Sequence, residues 1–286
     1  MKISKVGVLG VGNIGIGVVT DLILHDISTV VIDVSDEALI RGREAVLNNV
    51  RFAPMLSKSL PRISKDEASS RMQLSTHVSE LASCEFIIEN VTESWDIKRA
   101  VYEQLDNALP PDVCFGANTS CISITKIASV TRRPDKIVGI HLMNPVHLKP
   151  TVEVIRGFHT SKRTIETLLQ LFSQLNKESI IVEDLPGFVS NRISHLFMNE
   201  AAFVLQDQVA TASQVDAIFK RCFGHTMGPL ETADLIGLDT VVRSLDVLYE
   251  SYQDSKYRCC PLMRKLVHAG YLGRKAGRGF YEYPEE

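Results

Sequence analysis

The sequence predicts an α/β domain built on a parallel sheet, followed by a second domain made only of helices. In the first half, short and nearly continuous apolar runs alternate with longer helical patterns, which is typical of a parallel sheet covered on both faces. After the Pro-Gly pair at 186–187, strand patterns give way to helical ones. We therefore predict one domain at 1–186 and another at 187–286.

Five apolar runs of strand length mark the first domain. They are Val6–Leu9, Thr29–Ile32, Phe86–Ile88, Val113–Gly116 and Ile137–Ile140. A helix is predicted at 97–109, between two of these runs. The charged stretch at about 37–71 contains Pro54 and Pro61 and interrupts the alternation. We expect it to form two helices, either as a flap over a ligand or as a plain surface insertion.

Helical patterns account for most of the second domain. They cover residues 188–208, 212–222, 238–252 and 262–269. The apolar residues in these stretches recur at helical rather than strand spacing. We expect an all-α second domain.

Composition excludes several functional classes. Hydrophobic residues make up 45% and charged residues 23% of the 286 positions, which are ordinary globular values. The net charge is −3 with no basic block, which gives no support to a nucleic-acid partner. No apolar run reaches membrane-spanning length. Six scattered cysteines without a C-x-x-C pair favour reduced thiols in a cytoplasmic protein, and the histidine spacing predicts no metal site.

A glycine motif, Gly10-x-Gly12-x-x-Gly15, follows the first strand and opens a helix. In that context Gly10 permits a tight turn, Gly12 lets the backbone approach a pyrophosphate, and Gly15 allows close packing of helix and strand. Asp33 ends the next strand, where a carboxylate binds both ribose hydroxyls and repels the extra phosphate of NADP. The pattern predicts a Rossmann-like NAD site; the alternative is a glycine turn without a ligand.

A histidine and a carboxylate are the candidate reacting groups. His141 ends a predicted strand at the carboxyl edge of the sheet, where open α/β sheets bind ligands. Glu153 is the lone charged residue in Val152–Ile155, and a carboxylate there is costly unless it is paired. Such a pair makes a general base with a fixed tautomer. The alternatives are a structural histidine and a strand-edge acid that faces water.

Further polar residues are candidates for the same site. Ser120, in the turn 118–120, and Asn191, near the start of the second domain, have side chains that can bind a substrate oxygen, although Ser120 also fits a helix N-cap. Glu93 and Lys98 follow the strand at 86–88, but their position alone favours solvated charges at a helix start. No G-x-S-x-G elbow supports a serine hydrolase.

With these residues assembled, the chain resembles the 3-hydroxyacyl-CoA dehydrogenase family over nearly its whole length. The matching motifs occur in one order: Gly10–Gly15 with Asp33, Asn118-Thr119-Ser120, His141-x-x-Asn144-Pro145 running to Glu153, Pro186-Gly187-Phe188-Val189-x-Asn191-Arg192, Met227-Gly228-Pro229-Leu230-Glu231, Asp234-x-x-Gly237-Leu238-Asp239 and Gly277-x-Gly279-Phe280-Tyr281.

The resemblance implies an NAD-binding Rossmann-like domain and a helical domain for substrate binding and dimerisation. It assigns His141 as the base and Glu153 as its orienter, with Ser120, Asn144 and Asn191 holding the substrate. The cofactor site implied by the motif and the resemblance comprises Gly10, Gly12, Asn13, Ile14, Gly15, Asp33, Glu93, Lys98 and Asn118. The expected partners are an acyl thioester and a second copy of the chain.

The expected function is NAD-dependent oxidation of a 3-hydroxyacyl thioester, in fatty acid metabolism. Two enzymatic alternatives are the same reaction on an acyl-carrier-protein thioester or on a free 3-hydroxy acid. A non-enzymatic alternative is a catalytically silent NAD-binding protein. Leu142 and Met143 stand where acyl-CoA members tend to have aromatic residues, and His147 and Lys149 also depart from the family pattern. The chemistry therefore transfers more directly than the acyl carrier.

Overall fold

The computed structural model describes residues 2–284 of the chain. The chain divides into two compact units, the first ending at Leu185 and the second beginning at Pro186. None of the helices in the described range combines the length and the apolar character that a membrane crossing needs.

Within residues 2–284, the first unit contains one sheet of eight strands. Their bounds are β1 Lys5–Leu9, β2 Ser28–Ile32, β3 Met72–Ser75, β4 Phe86–Glu89, β5 Cys114–Asn118, β6 Ile137–His141, β7 Thr151–Arg156 and β8 Glu178–Glu183. The order across the sheet is β3-β2-β1-β4-β5-β6-β7-β8. The predicted Rossmann-like α/β fold is confirmed.

The strand order reverses direction at β1, which pairs with β2 on one side and β4 on the other. At such a reversal the connections leave on opposite faces, so a crevice opens at the carboxyl ends of the two strands. The loops that follow β1, β2, β4 and β5 meet along this edge. The fold therefore positions a ligand site before any side chain is considered.

One strand pairing departs from the predicted parallel sheet. β6 and β7 are antiparallel, and their register places His141 opposite Glu153. The connection between them, residues 142–150, is shorter than the dozen or so residues that a parallel crossover needs. β7 is also an internal strand, because its other side pairs with β8. Glu153 is therefore not the strand-edge acid that the sequence left open.

Six helices of the first unit lie among the described residues. Their bounds are α1 Asn13–Leu24, α2 Asp36–Leu56, α3 Lys65–Ser70, α4 Trp95–Ala108, α5 Ile124–Ala128 and α6 Lys162–Gln174. α1 packs its apolar residues into the core beneath the sheet, with Leu22 and Ile23 fully buried. The charged stretch at 37–71 folds as α2 and α3, and α2 continues through Pro54.

The described part of the second unit is helical, as predicted. Its helices are α7 Ser190–Gln206, α8 Ala212–Cys222, α9 Pro229–Ile236, α10 Leu238–Tyr252 and α11 Pro261–His268. They enclose an apolar core to which Met198, Leu245 and Met263 contribute.

Two buried carboxylates explain the glycine and aromatic motifs of this unit. Asp234 accepts hydrogen bonds from the backbone N–H groups of Phe280 (2.9 Å) and Tyr281 (3.0 Å). A Cβ atom at Gly279 would lie 2.0 Å from Asp234 Oδ1, so only glycine fits there. Asp216 accepts from the Tyr281 hydroxyl at 2.7 Å. These motifs hold the C-terminal segment against the helices.

Candidate active site

The glycine motif forms the loop between β1 and α1, and two of its glycines are required by the protein itself. Gly10 has φ +89°, and a Cβ atom there would lie 2.8 Å from the Asn90 carbonyl oxygen. A Cβ atom at Gly15 would lie 1.9 Å from the Gly10 carbonyl oxygen. The loop is therefore closed tightly against the neighbouring strand end.

Gly12 is different, because a Cβ atom there would meet no protein atom within 4 Å. It is the N-cap of α1, and no side chain caps that helix end. The first-turn amides, which include those of Asn13 and Ile14, face the place where a dinucleotide phosphate binds in this fold. The loop thus fits an NAD pyrophosphate.

Asp33 lies just beyond β2 and closes the glycine loop from the side. Its Oδ2 accepts a hydrogen bond from the backbone N–H of Val11 at 2.7 Å, and its Oδ1 accepts from that of Val34 at 2.7 Å. These bonds fix the carboxylate at the strand end, where an adenosine ribose lies in Rossmann-like sites. The arrangement suits NAD and opposes the additional phosphate of NADP.

His141 and Glu153 form a direct pair across β6 and β7. The Nδ1–H group of His141 donates to Oε2 of Glu153 at 2.7 Å. The side chains are 5% and 13% exposed, so the pair is shielded from most solvent screening. Since the carboxylate accepts from Nδ1–H, the lone pair of the neutral ring is on Nε2. The imidazole is oriented to accept a proton at Nε2, and the carboxylate stabilises the imidazolium that results.

Glu93 organises the loop that carries Ser120. Its Oε1 accepts hydrogen bonds from the Thr119 hydroxyl (2.6 Å) and from the backbone N–H groups of Ser120 (2.9 Å) and Cys121 (3.1 Å). Ser120 does not cap the following helix; Ser123 does, by accepting from Lys126 N–H. The carboxylate therefore fixes the backbone on which Ser120 sits.

Lys98 is completely buried, in contrast to the solvated charge that its position in the sequence favours. Its ammonium donates to both carboxylate oxygens of Glu89, at 2.7 and 2.9 Å, and to the Asn118 carbonyl oxygen at 2.8 Å. The Asn118 side chain donates to Asn90 Oδ1 at 3.1 Å. Glu89 was not predicted; an acid directly after the apolar run Phe86–Ile88 was the available signal.

Asn144 lies in the loop after β6, and the Asn144–Pro145 peptide bond is cis. With Asn13, Asn49 and His147 it lines a cavity of about 260 Å³ between the start of α1 and the end of α2. Lys177 holds this loop by donating to the carbonyl oxygens of Val146 and Lys149, both at 2.7 Å. No sequence pattern predicted this role for Lys177, because its partners lie 28 and 31 residues away in the chain.

The structure brings together the predicted site residues that belong to the first unit. The carboxyl edge of the sheet carries the glycine loop, Asp33, Glu93, Asn118, Ser120, His141 and Glu153. Asn191 belongs to the second unit, in the first turn of α7, where its carbonyl oxygen accepts from His195 Nδ1–H at 3.0 Å. Its role toward the substrate stays a prediction.

Comparisons with known proteins agree with this geometry. The NAD-binding-domain model of the 3-hydroxyacyl-CoA dehydrogenases matches residues 5–185, and the model of their C-terminal domain matches residues 187–283. A 3-hydroxybutyryl-CoA dehydrogenase of Bradyrhizobium diazoefficiens is 41% identical over 281 residues, covering 98% of this chain and 96% of that protein.

Two further relatives extend the match. A probable 3-hydroxybutyryl-CoA dehydrogenase of Bacillus subtilis is 37% identical, covering 100% of this chain and 99% of that protein. The crystal structure of (S)-3-hydroxybutyryl-CoA dehydrogenase from Ralstonia eutropha superposes with a TM-score of 0.93 at 39% identity, covering 99% of this chain and 100% of that one. With both domain models matched in order and relatives covered over nearly their whole length, the chain belongs to the 3-hydroxyacyl-CoA dehydrogenase family and is an NAD-dependent oxidoreductase.

Proposed function

We propose that the protein interconverts 3-hydroxyacyl-CoA and 3-oxoacyl-CoA, with a short-chain substrate such as 3-hydroxybutyryl-CoA. The observation that carries this proposal is the His141–Glu153 pair, which lies in the same unit and at the same sheet edge as the NAD loop. The names of relatives that match end to end support the short acyl chain.

In the oxidative direction, the Nε2 atom of His141 removes the proton of the 3-hydroxyl group. The Glu153 carboxylate stabilises the imidazolium that forms. NAD, when bound at the glycine loop, supplies the hydride acceptor. Ser120, held by Glu93, donates a hydrogen bond to the reacting oxygen, and Asn144 binds another polar atom of the acyl group.

The cavity beside Asn144 supports a thioester substrate. Three carboxamides, those of Asn13, Asn49 and Asn144, line it together with His147 and the apolar Phe52. Both ring nitrogens of His147 are buried without a hydrogen-bond partner among residues 2–284. A pantetheine arm carries two amide groups on a flexible apolar chain, so it offers partners to this lining.

A second cavity, of about 720 Å³, lies between α2 and α3 and supports CoA as the carrier. Arg51, Arg62 and Lys65 line it with one acidic residue, Glu44. Such a basic groove suits the phosphates of a nucleotide. Leu142, one of the departures from the family pattern, is 7% exposed and packs in the core, so its change does not alter the lining of either cavity.

A substrate panel tests the proposal, with NADH absorbance as the readout. The panel contains 3-hydroxybutyryl-CoA, the same acyl group on an acyl carrier protein, a truncated pantetheine thioester and free 3-hydroxybutyrate. We expect the highest kcat/KM with the CoA thioester. NAD binding with no turnover of any member would refute the enzymatic proposal, and preference for the carrier protein or the free acid would refute CoA as the carrier.

Reversing a charge in this basic groove between α2 and α3 tests whether CoA is the acyl carrier. Arg62→Glu is expected to raise KM for the CoA thioester on the order of tenfold, because one phosphate partner becomes repulsive. The KM of the truncated thioester should stay unchanged. Lys58→Glu is the matched control, since it makes the same charge change between α2 and α3 but Lys58 does not line the groove. Equal effects of both variants would contradict the assignment.

We also propose a homodimer formed through the second unit and a cytoplasmic location. Several large apolar side chains of that unit are exposed: Val189, Ile193, Val209, Ile218, Phe223, Leu235 and Ile236. A surface of this kind favours association. Cys84, Cys114, Cys222, Cys259 and Cys260 are free thiols, as is usual in a reducing compartment. The molar mass in solution, measured by light scattering, tests the dimer.

A further inference from the structure

Glu89, the last residue of β4, is a carboxylate with no exposed surface. It accepts two hydrogen bonds from the Lys98 ammonium and one from the backbone N–H of Val91, at 2.7 Å. Burial raises the pKa of Glu89, and the ammonium of Lys98 opposes this shift. The carboxylate therefore depends on Lys98 for its charge.

Stability alone does not account for such a pair. Removing two charges from water is costly, and well-packed apolar replacements of buried ion pairs are often equally stable or more so. The other contacts of the Glu89–Lys98 pair indicate its role. The third hydrogen bond of Lys98 goes to the Asn118 carbonyl oxygen, where β5 ends. The Asn118 side chain accepts from the backbone N–H of Leu142 at 3.4 Å, beside His141.

Lys98 also lies near a second carboxylate. Its Nζ atom is 3.9 Å from Oε2 of Glu93, beyond hydrogen-bond distance. The other oxygen of Glu93 binds Thr119 and the backbone N–H groups of Ser120 and Cys121. The two acids thus have different partners. Glu89 binds the Lys98 ammonium, and Glu93 binds the loop that carries Ser120.

We propose that Glu89 is a positioning residue of the dehydrogenase reaction, which retains Lys98 and thereby leaves Glu93 to hold the Ser120 loop. Without the Glu89 charge, the buried ammonium moves to Glu93, because a buried cation needs an anion. The Glu93 carboxylate then turns toward the ammonium and its hydrogen bonds to the Ser120 and Cys121 N–H groups break, so Ser120 is displaced. This inference rests on the proposed function, in which Ser120 orients the reacting oxygen.

The test compares Glu89→Gln with the double variant E89Q/K98M. In Glu89→Gln we expect hydrogen exchange at the Ser120 and Cys121 amides to become about tenfold faster and kcat to fall about 10–10²-fold. In the double variant the competing ammonium is gone. Amide protection should return, and amide exchange is the readout for this variant because Lys98 itself belongs to the predicted cofactor site. A purely structural defect would not be rescued by removing Lys98.

Glu103→Gln is the matched control, because Glu103 lies on α4 and pairs at the surface with Arg99 at 2.9 Å. If Glu89→Gln fails to fold, Glu89→Asp keeps the buried charge and shortens its reach. It should change exchange and kcat in the same direction by a smaller factor. Wild-type exchange and kcat in whichever of these two variants folds, or Ser120 and Cys121 amides that exchange as fast in the double variant as in Glu89→Gln, would overturn the proposal. Exchange is measured without substrate, so it remains decisive even if the substrate panel fails.

Discussion

Two side-chain pairs at the same sheet edge have equal N···O distances but different hydrogen-bond partners. His141 meets Glu153 at 2.7 Å, and Lys98 meets Glu89 at 2.7 Å. Lys98 donates two hydrogen bonds to Glu89 and one to the Asn118 carbonyl oxygen, so all three N–H groups of its ammonium are used. The histidine donates its Nδ1–H to Glu153, which places the lone pair of the neutral ring on Nε2.

The two pairs suit different roles, one in proton transfer and the other in holding the neighbouring backbone in place. A group that moves protons must change its charge during turnover, so its partner has to tolerate both charge states. A saturated and fully buried ammonium cannot change charge without leaving a buried carboxylate unpaired. Substitutions at the two pairs should therefore affect the rate for different reasons.

Replacement of the base should have the largest effect. His141→Gln removes the proton acceptor, and we expect kcat to fall about 10²–10⁴-fold. NADH affinity, measured by fluorescence, should change little, because the glycine loop and Asp33 are untouched. His77→Gln, at an exposed histidine, is the control. Turnover near the wild-type rate in His141→Gln would remove His141 from the mechanism.

Replacement of the orienting acid should cost less than loss of the base. Glu153→Gln keeps the size of the side chain and an oxygen that accepts from Nδ1–H, but it loses the charge that stabilises the imidazolium. We expect kcat to fall on the order of 10²-fold, with KM nearly constant, in steady-state assays. Glu183→Gln, at a 71% exposed acid on the neighbouring strand β8, should leave kcat unchanged. Equal rates for both variants would make the Glu153 contact structural.

The sequence predicted the local parts of this site better than its long-range parts. The glycine loop and Asp33 were predictable because the strand, turn and helix that define them adjoin in the chain. Pairing of His141 with Glu153 depends on an antiparallel register between β6 and β7 that no local pattern encodes. The burial of Lys98 was not predictable, because its partner Glu89 is nine residues away on another element.

A second histidine and carboxylate in the first unit provide the last and smallest test. His25 Nδ1 lies 3.2 Å from Asp21 Oδ1, directly after α1 ends, on the side opposite the glycine loop. The hydrogen bond to Asp21 raises the pKa of His25, although burial opposes it. Its stabilising contribution is therefore full below the unfolded-state pKa of about 6.5 and is lost as the pH rises through the folded-state value.

His25→Gln should lower Tm by about 1–3 °C near pH 5.5 and by less toward pH 9, as followed by thermal unfolding. Its kcat should equal that of the wild type, because this imidazole touches neither the predicted cofactor loop nor the base. A pH-independent loss of Tm would contradict the role of the charged form. If His25→Gln lowered kcat as much as Glu153→Gln does, the position of His141 at the sheet edge would not explain its role. Pairing with a carboxylate would then be enough to make a histidine of this unit important for turnover.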